Sequence, residues 1–238
     1  MTPSPAVAVV PAAGSGTRMG GGAVGKTYTP LAGHPLIVHT LRGLLASPRV
    51  DRVFLVVAPG DVDACAADVV TPYGLAEAVT VVAGGSSRQE SVFRGLLACR
   101  DSARFVVIHD GARPLVTSAM VRMTLDAARQ VGAATVAVPV TDTLKRGDGE
   151  HRVAGSVDRE WLWSIQTPQA FRLDLLLDAH LRARSEGISA TDDASLIERV
   201  GRPVQLVLGD ARNIKVTTPD DLPMAEYLLS RDRESATS

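Results

Sequence analysis

Six short aliphatic runs recur along the chain: Ala6–Val10, Val53–Val57, Val79–Val82, Phe105–Ile108, Thr135–Val138 and Val204–Leu208. Most are near-continuous Val/Ile/Leu rather than alternating. A strand reads that way when both its faces are buried, as in a largely parallel sheet covered by helices. Segments of helical spacing lie between the runs. Pro35 leads into Ile37, Leu41, Leu44 and Leu45; Val121, Leu125 and Ala128 precede a stop at Gly132; Leu173, Leu176, Leu177 and Leu181 precede Gly187. Thr191 is placed to cap a helix carrying Leu196, Ile197 and Val200 and closed by Gly201, and Thr218-Pro219 with Asp220 and Asp221 opens the last one. Strands alternating with helices predict an α/β fold with a doubly wound, mostly parallel sheet. No internal repeat or low-complexity linker divides the 238 residues, so a single domain, 1–238, is expected.

One stretch, at about 141–160, breaks the alternation. Two polar extended arms, Thr143–Arg146 and His151–Val157, flank Gly147-Asp148-Gly149, and Asp-Gly at a tip signals a hairpin. A protruding polar hairpin of this kind serves as a dimer arm, as a substrate lid, or as a solvated loop.

Charge narrows the partners. Lys and Arg number 25 against 26 Asp and Glu, and the net charge is −1. A nucleic-acid or anionic-membrane binder needs a basic excess, so neither partner is expected. Cys65 and Cys99 form no CxxC, which argues against zinc and against a disulfide framework. No apolar run approaches the ~20 residues that span a bilayer, and "MTPSP" lacks a basic leader. A cytoplasmic protein is expected.

The first run ends in "PAAGSGTRM". In doubly wound sheets ligands sit beyond the carboxyl ends of the strands, where a small-residue turn exposes backbone N–H groups to a phosphate. The turn is not a P-loop, and the third glycine of a dinucleotide fingerprint would fall at Met19. Alone it is equally an ordinary turn. Arg18 and Lys26, on a Gly-rich stretch unsuited to a core, place two cations beside it and suggest a polyphosphate.

Together, "PAAGSGTRM…K", "AGGSSRQESVFRGL" (83–96), "IHDGARP" (108–114), "VPVTDTLK" (138–145), "TPQAF" (167–171), "TDDAS" (191–195) and "NIKVTTPDDL" (213–222) resemble, in order and over nearly the whole chain, the 2-C-methyl-D-erythritol 4-phosphate cytidylyltransferases. The resemblance implies a Rossmann-like nucleotidyltransferase fold that joins CTP to a polyol phosphate in isoprenoid precursor synthesis. It implies that Ala12, Ala13, Gly14, Ser15 and Gly16 wrap the CTP phosphates, with Arg18 and Lys26 clamping them. Gly84, Gly85, Ser86 and Ser91 look like the cytosine pocket, and Ala112 falls on the nucleotide side. Arg113, Thr143, Arg159, Thr167, Thr191 and Lys215 match positions around the polyol phosphate. The resemblance further implies that Arg18, Lys26, Arg159 and Lys215 carry the catalytic charge, and that Arg159 reaches a partner's site in a homodimer built through the hairpin arm. Asp110, at the carboxyl end of Phe105–Ile108, is expected from the same resemblance to touch nucleotide and substrate and to hold Mg²⁺, which suits a hard carboxylate beside phosphates.

The chain departs from the family pattern in three places. Lys26-Thr27-Tyr28 replaces Lys-Gln-Tyr, Ser86 stands where an aspartate is frequent, and Trp161 is an added aromatic with no functional account. The nearest alternative is a ribitol 5-phosphate cytidylyltransferase. A non-catalytic nucleotide-binding regulator is a second alternative, which the full set Arg18, Lys26, Asp110 and Lys215 disfavours.

Overall fold

The computed structural model describes residues 6–14 and 28–237, with side chains as far as Arg231. In chain order the elements are β1 (Ala6–Pro11), β2 (Pro30–Leu31), β3 (His34–Pro35), α1 (Leu36–Leu45), β4 (Val50–Val57), α2 (Val62–Cys65), β5 (Val79–Ala83), α3 (Arg88–Cys99), β6 (Phe105–Ile108), α4 (Ser118–Val131), β7 (Ala133–Pro139), β8 (Leu144–Gly147), β9 (Val153–Val157), β10 (Trp163–Arg172), α5 (Leu173–Ser185), α6 (Asp193–Arg199), β11 (Gln205–Leu208) and α7 (Asp221–Thr237). Seven strands form one sheet in the order β11-β7-β10-β6-β1-β4-β5. All its pairings are parallel except those of β10, which runs antiparallel between β6 and β7. The mostly parallel sheet expected from the aliphatic runs is present, and each of the six runs coincides with a strand to within a few residues.

Alternate residues of β1 explain the double winding. Ala6, Ala8 and Val10 face one way and pack with Ile37, Val38, Leu41 and Leu44 of α1 and Val121, Leu125 and Ala128 of α4. Val7 and Val9 face the other way, onto Val92 and Leu96 of α3, Leu176 of α5 and Leu196 of α6. Phe171 of β10 is fully buried in that second layer, a burial that contributes about 1.5–3 kcal/mol.

Local chemistry sets the helix ends. The Ser87 hydroxyl accepts from the Glu90 amide at 3.0 Å and starts α3. Thr117 does the same for α4, which Gly132 ends in the left-handed region at φ 98°. Two expectations are corrected here. Asp192, not Thr191, caps α6, its carboxylate accepting from the Ser195 amide at 3.1 Å. In α5 the buried side is Leu173, Leu176, Ala179, His180 and Ala183, while Leu181 is half exposed. Ala179 and Ala183, not Leu181, join the buried cluster that holds Leu196 and Ile197 of α6.

Strand β10 is not among the runs that the sequence marks as strands. Its sequence, WSIQTPQAFR, holds a proline among several polar residues, and proline cannot donate to a ladder. The register with β7 is interrupted between Ile165 and Gln169, and the Thr167–Pro168 peptide is cis. Gln166, Thr167 and Gln169 are nonetheless buried. The hairpin is present as β8 paired with β9, with most residues exposed. At its tip the Asp148 carboxylate accepts from the amides of Glu150 and Arg152, both at 2.9 Å.

Helix α3 can press onto the sheet because residue 95 is glycine. A Cβ there would lie 2.4 Å from Val9 Cγ1 and 3.0 Å from Val56 Cγ2. Gly→Ala in a helix ordinarily stabilises by about 1 kcal/mol. Gly95→Ala should instead destabilise by about 1–3 kcal/mol, the usual cost of overpacking, as read from urea denaturation midpoints.

Candidate active site

The carboxyl ends of β1, β5 and β6 and the chain leaving β11 meet along one edge of the sheet. At its centre is Asp110, two residues beyond β6 and 8% exposed. Its Oδ1 accepts from Arg88 Nε at 3.2 Å, and its Oδ2 accepts from Lys215 Nζ at 2.8 Å. Arg113 Nε stands 3.8 Å from the same Oδ2. Burial alone would raise the Asp110 pKa. The charges of Arg88, Lys215 and Arg113 outweigh that and hold it well below the usual carboxylate range.

The backbone around Asp110 is fixed from several sides. Its amide donates to Thr167 Oγ1 at 3.0 Å, and that hydroxyl lies 3.0 Å from His109 Nδ1. The other ring nitrogen, Nε2, faces the Arg113 carbonyl, which can only accept, so in the neutral ring Nδ1 is unprotonated and accepts the Thr167 hydroxyl proton. His109 Nε2 is then the protonated nitrogen and donates to the Arg113 carbonyl at 3.1 Å. Burial pushes the imidazole down to about 4, so it stays neutral. From α1, Thr40 Oγ1 donates to the Gly111 carbonyl at 3.0 Å. The Val216 amide donates to the Ala112 carbonyl at 2.9 Å, which holds Lys215 beside Asp110. Arg113 Nη1 donates to the Asn213 carbonyl at 2.7 Å, and Asn213 Nδ2 donates to the Thr167 carbonyl at 2.8 Å.

The glycine loop after β5 is built around Ser91. The Gly85 amide donates to Ser91 Oγ at 3.1 Å, and that hydroxyl donates to the Ser87 carbonyl at 2.9 Å. Its one proton is therefore committed to the loop's shape. Gly84 has no space for a side chain: a Cβ would come within 2.9 Å of Ala13 Cβ, Ser91 Oγ and the Val57 carbonyl. That close approach joins the turn after β1 to the loop after β5. The Ala12 amide donates to the Val56 carbonyl at 2.7 Å and continues the sheet, so it is unavailable to a ligand. Ala13 and Gly14 follow it, and Ser86 is exposed on the loop.

Of the site residues expected from the sequence, Asp110, Ala112, Arg113, Thr167 and Lys215 converge, with Ala12, Ala13, Gly84, Gly85 and Ser91 forming the adjoining wall. Thr143 and Thr191 are exposed on neighbouring loops. Arg159 is exposed, and its Nη1 donates to the Thr141 carbonyl at the base of the hairpin. Ser15, Gly16, Arg18 and Lys26 lie outside the described residues. Two participants escape the sequence reading. Arg88 stands in a recognised motif without an assigned role, and Asp193, 1% exposed, receives Arg88 Nη1 at 2.8 Å. An arginine opening a helix reads as surface charge, and nothing local signals its carboxylate partners.

For Mg²⁺, Asp110 offers one hard carboxylate. Among the described residues no group of three or more His, Cys, Asp or Glu could hold a metal ion. The donor set therefore fits a single contact supplemented by ligand phosphates, and not a protein-built cage. Both Asp110 oxygens already meet cations, so that contact requires one of them to move aside. Among the described residues no helix is long and apolar enough to cross a membrane.

Comparison with known proteins finds relatives over nearly the whole chain. The family model described as "IspD: 2-C-methyl-D-erythritol 4-phosphate cytidylyltransferase" matches residues 6–231. A 2-C-methyl-D-erythritol 4-phosphate cytidylyltransferase of Pelotomaculum thermopropionicum is 47% identical over 222 residues, 93% of each chain. That of Desulforamulus reducens is 45% identical over 225 residues, 94% of this chain and 96% of its own. The crystal structure of the Thermus thermophilus cytidylyltransferase superposes with a TM-score of 0.77 at 36% identity, covering 94% of this chain and 98% of that one.

The neutral, buried His109 has a measurable consequence. Unfolded, it titrates near 6.5; folded, at about 4. Between these values the unfolded chain takes up a proton that the folded chain refuses, so stability falls as pH drops through that window and levels off below it. Comparing urea unfolding of wild type and His109→Gln across this range should show the variant lacking on the order of 1–3 kcal/mol of that dependence. Identical slopes would mean that His109 is not held neutral.

Proposed function

The chain belongs to the 2-C-methyl-D-erythritol 4-phosphate cytidylyltransferase family and is a nucleotidyltransferase; from that premise we propose that the edge around Asp110 is where CTP meets 2-C-methyl-D-erythritol 4-phosphate. The products are 4-diphosphocytidyl-2-C-methyl-D-erythritol and pyrophosphate. The observation that carries this assignment is the Lys215–Asp110 pair, with Arg113 and Arg88 beside it, set against the glycine-walled loop after β5.

An oxygen of the substrate phosphate bonds to the CTP α-phosphorus, and the bond from that phosphorus to the bridging oxygen of pyrophosphate breaks. The nucleophile needs no general base, because a phosphate monoester loses its second proton near pH ~6. His109 is unsuited to that task in any case, since both its nitrogens are engaged. What the reaction demands is alignment of two polyanions and neutralisation of the charge growing at the α-phosphate. Lys215 is half exposed and can leave Asp110 for a phosphate. Arg113, anchored on the Asn213 carbonyl, supplies a second fixed cation. Arg18 and Lys26 serve the nucleotide phosphates, and Ala13, Gly84 and Gly85 let backbone approach the nucleotide. Asp110 would hold Mg²⁺ by one oxygen, and the ion would offset charge on the phosphates it shares.

The active unit is a homodimer, and two exposed features support that reading. Val153 on β9 is 69% exposed and Trp161, just past the hairpin, is 82% exposed. A second copy covering them would carry Arg159 toward the partner's Asp110 edge, where a guanidinium can grip a phosphate in two-point fashion. The enzyme works in the cytoplasm, where its two buried free thiols stay reduced.

The test is pyrophosphate release with CTP, Mg²⁺ and 2-C-methyl-D-erythritol 4-phosphate, with ribitol 5-phosphate as the control acceptor. Release should follow the first acceptor only. Lys215→Ala should fold normally and lose on the order of 10²–10³ in turnover, as when one preorganised stabilising donor is removed. Near-normal turnover of the folded variant would remove Lys215 from the reaction.

A further inference from the structure

Arg88 is the first residue of α3, where the helix dipole disfavours a cation. The position gives it a reach that few others would have. Its planar fork meets carboxylates from two other parts of the chain, Nε donating to Asp110 Oδ1 at 3.2 Å and Nη1 to Asp193 Oδ2 at 2.8 Å. Asp193, at the start of α6, is 1% exposed. Its remaining oxygen, Oδ1, accepts from His180 Nε2 at 2.9 Å, and His180 on α5 is fully buried. A buried carboxylate is costly unless it is fully paired, and this one faces protein on every side. Among the described residues its side chain reaches Asp110 through Arg88.

We propose that Arg88 is a positioning residue for cytidylyl transfer. Clamped from behind by Asp193 and His180, it fixes Asp110 by Oδ1 and so presents Oδ2 to Lys215. The inference rests on the reading of this edge as the transfer site. It predicts that charge alone is insufficient, because a lysine ammonium cannot grip two carboxylates in a fixed plane as a guanidinium does.

The experiment compares wild type, Arg88→Met, Arg88→Lys, Asp193→Asn and the double variant Arg88→Met/Asp193→Asn, each checked for folding by circular dichroism. Arg88→Met should lower kcat about 10²-fold, the usual cost of misplacing a reacting group by about an ångström. KM for CTP should stay within about threefold, since the loss falls on the transition state. Arg88→Lys should recover little of the loss. Asp193→Asn should lower kcat on the order of ten- to a hundredfold, as do other outer partners that orient a working group. In the double variant the two losses should not add, because both act through one contact. Additive losses, or a folded Arg88→Met with wild-type kcat, would overturn the proposal. A role confined to tying α3 to α6 would lower the melting temperature and leave kcat unchanged.

A crystal structure of Arg88→Met supplies a readout independent of turnover. The Asp110 carboxylate should rotate away from Lys215, and an unchanged 2.8 Å contact would refute the positioning role. If wild type itself transfers nothing, the functional reading fails, and the orientation of Asp110 still decides this one.

Discussion

A carboxylate held at the end of a buried strand dictates the arrangement of everything near it. Asp110 is nearly closed off from water, and an isolated charge there would be strongly destabilising. Arg88, Arg113 and Lys215 come from three different segments to neutralise it. Each must in turn be anchored. Arg88 leans on Asp193, Arg113 on the Asn213 carbonyl, and Lys215 on the backbone bond from Val216 to Ala112. The loops at this edge of the sheet are thereby tied to one point.

The antiparallel strand β10 makes that possible. Its interrupted register around Pro168 leaves polar side chains inside the sheet, and each serves a loop. Thr167 takes the Asp110 amide; Gln166 Nε2 donates to the Asp210 carbonyl at 3.0 Å; Gln169 Nε2 donates to Asp192 Oδ2 at 2.7 Å, and its oxygen accepts from the Ala194 amide at 3.2 Å. Regular aliphatic strands on both sides carry the stability. The irregular strand carries the geometry of the site.

That division also explains what the sequence reveals. Aliphatic runs and helix caps are local signals, and β1, β4, β5, β6, β7 and β11 follow from them. β10 does not, since a proline with buried glutamines and a threonine resembles a loop until the partner loops are in place. Between Thr191 and Asp192 as the cap of α6, no local feature discriminates. For the site, Asp110 and Lys215 stand out through their motifs, while their pairing spans 105 positions. Arg88 and Asp193 are also 105 positions apart, and neither stretch alone indicates that a buried carboxylate awaits the arginine.

The charge balance bears on how such an edge accepts polyanions. Among the described residues around Asp110, the two carboxylates of Asp110 and Asp193 oppose the three cations Arg88, Arg113 and Lys215, with His109 neutral, so most of the charge in this cluster is balanced internally. A larger bare excess would repel itself and splay the loops. Under the proposed function an incoming phosphate would compete with Asp110 for Lys215, whose side chain is the most exposed of the three cations. Arg88 and Arg113 stay anchored by their other contacts. Under the proposed function the acid would act as a stand-in anion, keeping the cations in place and releasing the most exposed one when a phosphate takes over its role. Preorganisation of this kind lowers the reorganisation demanded at the moment of transfer, and it requires that Asp110 stay ionised, which its cationic neighbours ensure.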